Sequence, residues 1–230
     1  MPFDWSSIPG ALPILWQGMI VTIEITLVGA LIGILVGIVL ALFRLSPNRL
    51  LSWLAAAYVT VFRSIPLVMV LFWFHLILIP LVAGFLFPGQ RLELGLLTAL
   101  TAFSLFEASY YSEIIRAGIL SVTKGQFSAG LALGMNRGQV MRLVILPQAL
   151  RRMIPLLLTQ AIILFQDSTL VYVINLDDFF RKAYNIGNTV GTLNEMILFA
   201  GAVYLVICTL ASGCVRQLQR RFTVSPREIA

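Results

Sequence analysis

Charge is scarce in this chain: 11% of its 230 residues are Asp, Glu, Lys or Arg, against 59% hydrophobic. A water-soluble domain of this length cannot clothe its surface with so few charges, and a mean hydropathy of +0.94 makes the bilayer its solvent. Histidine occurs once and cysteine twice. Cys208 and Cys214 stand six residues apart on one expected helix, about 240° around it, so they do not pair with each other. No His/Cys spacing suits a metal, and His75, alone in an apolar run, reads as a packed or interfacial residue. No Gly-rich phosphate loop or Ser/His/Asp set occurs, and no connecting segment is large enough to house an enzyme active site. A membrane-embedded enzyme is therefore not expected, nor a cofactor. The first basic residue is Arg44, so no charged region precedes the first apolar stretch and no cleavable signal peptide is expected.

What is present is long apolar runs. Five are long enough to span, at 17–43, 65–87, 94–115, 153–174 and 195–215. All must be helical, because lipid offers no other partner for backbone N–H and C=O groups. The fold expected is an all-α membrane protein of five transmembrane helices. One membrane domain covers 17–217, an interfacial segment 1–16 precedes it with Trp5 and Trp16 as anchors, and a basic tail 218–230 follows. Thirteen of the sixteen cations fall on one side of this arrangement, while Arg91, Arg181 and Lys182 fall on the other. The positive-inside rule then sets the N-terminus outside and the C-terminus in the cytoplasm. The net charge of +6 is accounted for by topology and implies no nucleic acid.

Within the spans, Gly29, Gly33 and Gly37 recur at intervals of four and predict a close helix–helix contact. Arg63 reads as a headgroup anchor, and Glu113 and Arg116, three apart, read as a pair on one helix face. Glu107 lies deeper and shares a face with Tyr110. An acid at that depth is either an interhelical tie or part of a polar pathway. The fourth span carries Gln160, then Gln166, Asp167, Ser168 and Thr169 in succession. Four consecutive polar side chains cover the whole circumference of a helix, so some face protein or water. Gln166, Asp167 and Ser168 are the candidate substrate contacts, with Asp167 holding a cationic group and its neighbours supplying hydrogen bonds; structural hydrogen bonds between helices are the alternative.

The longest connecting loop, 123–147, is basic and punctuated. Thr123 with Gln126 predicts one capped helix ended by a left-handed Gly134; Asn136 with Gln139 predicts a second, closed by Pro147. Two capped helices in one membrane loop suggest a docking element. Leu131, Leu133, Met135 and Val140 are its candidate apolar contacts, with packing against the chain's own helices as the alternative, and Arg137 and Arg142 face acidic groups of a partner.

Ser128, Ala129, Gly130, Gly134, Val144, Leu146 and Pro147 also stand where a known pattern has its fixed positions. The loop resembles the EAA loop of the membrane subunits of bacterial ABC importers, with Ser128 in place of the usual Glu and Gly130 in place of the second Ala. The stretches 61–70, 110–118, 164–167 and 195–200 resemble the polar amino-acid permease branch, and the glutamate/aspartate importer permeases in particular. The resemblance implies a type I ABC importer transmembrane domain in the bacterial inner membrane. It implies an ATPase dimer docked on Ser128, Ala129, Gly130, Leu131, Gly134, Arg137, Leu146 and Pro147. A second, different permease chain, an external solute-binding protein and a polar, acidic amino acid as substrate complete the implied set. Another polar amino acid as substrate is the alternative. An ion-coupled secondary transporter or a channel is the rival class, but it would call for an inverted repeat or a midplane ion site.

Overall fold

A computed structural model of the chain describes residues 4–88 and 93–222. Arg91, the turn at 89–92 and Arg227 in the tail lie outside the described residues. Every regular element among those described is helical. We number them α1 (Ser7–Leu45), α2 (Arg49–Ser64), α3 (Leu67–Leu86), α4 (Leu94–Leu120), α5 (Lys124–Ala132), α6 (Arg137–Ile174), α7 (Phe179–Val190) and α8 (Leu193–Phe222).

Four of these, α1, α3, α6 and α8, are long and apolar enough to cross a membrane. The expected third span is the helix α4, whose 27 residues reach about 40 Å at 1.5 Å per residue. It falls short on apolarity, not on length, and the reason is its position. The rest of the chain covers much of it: thirteen of its residues are buried, among them Ser104, Glu107, Ser109 and Ser112. A helix wrapped by protein can carry polar groups that a lipid-facing one cannot. Within the expected interfacial segment 1–16, α1 is already helical from Ser7 and runs on without a break.

Sequence reasoning missed α2. The stretch 49–64 reads as a basic loop, but Asn48 caps it through Oδ1, which accepts from Leu50 N at 3.0 Å and Leu51 N at 3.4 Å. Its inner face is Ala55 and Val59, and Tyr58 donates to the Leu105 carbonyl on α4 at 2.7 Å. Ile65, extended before Pro66, separates α2 from α3.

Pro80 and Pro147 are accommodated by wide turns, whereas Pro13 and Pro155 sit in ordinary α-helix. A π-turn at Phe74–Leu78 precedes Pro80, and another at Met141–Ile145 precedes Pro147. Proline lacks the N–H for an ordinary helical bond, and one wide turn lets the helix continue past it. Pro147 therefore does not close the second helix of the loop, as expected, but lies inside α6.

The α1–α4 contact organises the bundle, and the glycine stripe makes it. Cβ atoms added at Gly33 and Gly37 would lie 3.1 Å from Glu107 Cβ and 2.9 Å from Tyr111 Cβ. Neither position has room for a side chain, which gives the small-residue spacing its physical meaning. At one end of this contact Glu113 bonds both Arg44 of α1 and Arg116 of its own helix, the latter at 3.0 Å. At the other end Gly18 abuts the backbone of Asp178, and the Phe179 N–H donates to Thr22 Oγ1 at 3.1 Å. Trp5 and Trp16 are exposed, and His75 meets Thr98 Oγ1 at 3.4 Å.

Asp178 caps α7, accepting from Arg181 N at 2.9 Å and Phe180 N at 3.3 Å. Burial raises its pKa to about 6 despite those bonds. A folded-state pKa above the ordinary value means a contribution to stability that is complete below about pH 4 and lost as pH rises through 6. The thermal midpoint of the purified protein is expected to fall between pH 5 and 7.5. The Asp178→Asn variant, whose amide still caps the helix, should show less of that fall; an identical fall in both would refute the assignment.

Candidate functional site

Two features have chemistry of their own: the elbow formed by α5 and the first turns of α6, and a polar seam where α6 meets α4.

The elbow is built from local signals. Asn136 Oδ1 accepts from Gln139 N at 2.9 Å while Gln139 Oε1 accepts from Asn136 N at 2.8 Å, so the expected capping box is present. Gly134, at φ +82°, ends α5, with Met135 N donating to Gly130 O and its own N–H to Leu131 O. The expected Thr123 cap is not made through its side chain; only the Thr123 carbonyl serves, accepting from Gln126 N at 3.0 Å.

Packing then sorts the elbow's apolar residues. Val140 takes the second of its two readings: it is fully buried inside the chain against Gly130 and is a core residue, not a docking contact. A Cβ on Gly130 would lie 2.8 Å from Val140 Cγ2, so the branched valine and the missing alanine methyl are one adjustment. Met135 packs against the same cluster. Leu131 and Leu133 remain on the surface, Leu133 82% exposed, alongside the exposed Ser128, Ala129 and Arg137. Leu146 and Pro147 are exposed on the first turn after the π-turn. Arg142 lines a shallow cavity of about 410 Å³ with Asn136, Gln139 and Leu143.

The polar seam does not bring all its expected members together. Glu107 is wholly buried, and Gln160 Nε2 donates to its carboxylate at 3.1 and 3.3 Å. Gly33 of α1 closes the other side. Ser168 is also fully buried, its hydroxyl donating to Phe165 O at 2.8 Å, so it presents nothing to an open surface. Gln166 is exposed and Asp167 half-buried, seven residues beyond Gln160 and thus about 10 Å further along α6. Among the described residues the Asp167 side chain has neither a hydrogen bond nor an ion pair. A half-buried carboxyl in that state has hydrogen-bonding capacity left over for a ligand.

Tyr110 lies on the other side of Glu107 from Asp167, stacked with Phe106 at 5.3 Å. The Arg63 guanidinium sits over its ring, 5.2 Å from the centroid. Sequence reasoning placed Arg63 among lipid headgroups. The residue stays exposed with its guanidinium over that ring, and no spacing in the sequence signals the contact.

A family model described as the binding-protein-dependent transport system inner membrane component matches residues 33–224. The chain is 57% identical over 219 residues to the glutamate/aspartate import permease protein GltK of Escherichia coli O6:H1, covering 95% of this chain and 98% of that protein. It is 35% identical over 221 residues to the arginine transport system permease protein ArtQ of Bacillus subtilis, covering 96% and 98%. Among solved structures, an amino acid ABC transporter crystallised with histidines superposes with a TM-score of 0.87 at 29% identity, covering 96% of this chain and all of that one. The MetNI methionine ABC transporter in inward-facing form gives a TM-score of 0.75 at 19% identity, over 93% and 98%, which is a likeness of fold.

Proposed function

The chain belongs to the binding-protein-dependent transport system inner membrane components and is the permease subunit of an amino-acid ABC importer in the inner membrane; from that premise we propose that it conducts glutamate or aspartate. The observation that carries the mechanism is the elbow. Two exposed leucines, Leu131 in the last turn of a helix and Leu133 just past it, stand where Gly134 locks the helix end and a capping box locks its neighbour. Apolar side chains held rigidly in water serve a partner, and here the partner is an ATPase dimer. Ser128, Ala129, Arg137, Leu146 and Pro147 form the rest of the seat, with Gly130 and Val140 fixing its shape from beneath.

The membrane domain, 17–217, has five spans, α4 being the one enclosed by the others. The N-terminus is outside and the elbow, 123–147, is in the cytoplasm. A second permease chain of different sequence pairs with this one, and an external binding protein delivers the substrate. Closure of the ATPase dimer moves the elbow as a lever, and the movement passes into α4 and α6, which flank it. Glu107 and Gln160 keep those two helices in register.

The substrate meets Gln166 and Asp167 first. The unpaired Asp167 carboxylate accepts from the α-ammonium group, and Gln166 hydrogen-bonds the α-carboxylate. Further in, Tyr110 lines the path and Arg63 supplies the cation that an acidic side chain requires. Ser168 serves by holding the turn at the end of the α-helical part of α6. ATP-dependent uptake of single amino acids into proteoliposomes containing the importer tests the reading. Glutamate or aspartate should accumulate, and the Asp167→Asn variant should raise KM by about tenfold or more, the worth of one hydrogen bond to a charged group. Uptake of neither acid would refute the substrate; an unchanged KM would remove Asp167 from the path.

A further inference from the structure

Nothing described so far uses the trough between α6 and α8. The two helices meet where Phe165 packs on Tyr204, ring centroids 5.1 Å apart, and they part toward the elbow side. The gap holds an apolar cavity of about 490 Å³ walled by Leu158, Ala161 and Phe165 of α6 and Ile207, Ala211 and Val215 of α8. One turn further on, a second cavity of about 520 Å³ is walled by Arg151, Arg152 and Pro155 of α6 and Gln219 and Phe222 of α8. Leu218 of the first cavity and Gln219 of the second are adjacent, so the two form one trough, greasy along its length and cationic at its mouth. Among the described residues no carboxylate lines either part. Arg152 is engaged with the Ser121 carbonyl and hydroxyl, whereas Arg151 is exposed and has no partner among the described residues.

We propose that this trough is a binding site for an anionic phospholipid of the elbow-side leaflet, its phosphate at Arg151 and Arg152 and an acyl chain between α6 and α8. The dimensions agree. From Arg151 to Phe165 is fourteen residues, about 21 Å along α6, against about 15 Å of hydrocarbon in one leaflet plus its headgroup layer. The charge agrees as well: basic pockets between transmembrane helices at the membrane surface suit lipid phosphate. A helix of another protein would bury both arginines without an acid to meet them, at a cost that a phosphate avoids.

The test exchanges the purified importer from mixed lipid into detergent and counts retained phosphatidylglycerol and phosphatidylcholine by native mass spectrometry. Phosphatidylglycerol should be retained preferentially. Arg151→Gln, at an exposed residue with no structural bond, should lower its retention about fivefold, the worth of one cation at an anionic surface. Ala211→Trp, filling the apolar wall, should lower it without shifting the thermal midpoint; if that variant fails to fold, the Arg151→Gln result decides alone. Equal retention of the two lipids, or no effect of Arg151→Gln, would overturn the site. So would an Ala211→Trp protein that keeps its lipid but no longer pairs with the second permease chain, because the trough would then be a subunit interface.

Discussion

Replacing Gly37 by leucine is expected to prevent stable assembly of the bundle. A Cβ at this position would lie 2.9 Å from Tyr111 Cβ and 3.0 Å from the Ser112 backbone nitrogen, so the obstruction is main chain and cannot rotate aside. Overpacking in a close-packed core costs about 1–3 kcal/mol when side chains can yield, and more when the backbone must shift. The α1–α4 contact also fixes Glu107, walled by Gly33, and the Arg44–Glu113–Arg116 cluster at its end. Forcing α1 away would loosen both. Glu107 would lose its enclosure and Glu113 its partner on α1, each leaving charge in a poor medium. Against a total stability of about 5–15 kcal/mol, the sum is decisive. Gly201 supplies the control, because a Cβ there meets nothing within 4 Å. Size-exclusion profiles and thermal midpoints in detergent should show Gly37→Leu aggregated or unfolded and Gly201→Leu like the parent. A monodisperse Gly37→Leu protein with the parental midpoint would show that the stripe does not govern packing.

The second large effect falls on activity and leaves the fold alone. Leu131→Glu combined with Leu133→Glu is expected to reduce ATP-dependent uptake about thirtyfold or more, the loss that follows when a central interface residue worth about 2 kcal/mol is removed. Both side chains are exposed, so the isolated permease should change stability by no more than about 0.5 kcal/mol. Val140→Glu tells the opposite story. It would bury a charge against Gly130 and unfold the elbow itself. Uptake, co-purification with the ATPase and the thermal midpoint, measured together, separate the two. Normal coupled uptake by the double leucine variant would remove the elbow from force transmission.

These two cases show where legibility ends. The glycine stripe was readable because its period of four is a property of the helix itself, and a residue without a side chain has one common use between membrane helices. The capping box at Asn136–Gln139 and the left-handed Gly134 were readable because both are satisfied by neighbours within a few residues. The Glu113–Arg116 pair is equally local, whereas Arg44 as its third member is not.

Sequence by itself determined the solvent, the helical class, the close-packing stripe and the articulated basic loop, since composition and short-range periodicity are enough for each. Tertiary structure alone decided that Val140 faces Gly130 and not a partner, and that Ser168 turns inward while Asp167 stands unpaired. It also decided that the Arg63 guanidinium lies over the ring of Tyr110. A helix repeats its pattern without regard to its neighbours, and which face of it is covered depends on chain that arrives from far away in sequence.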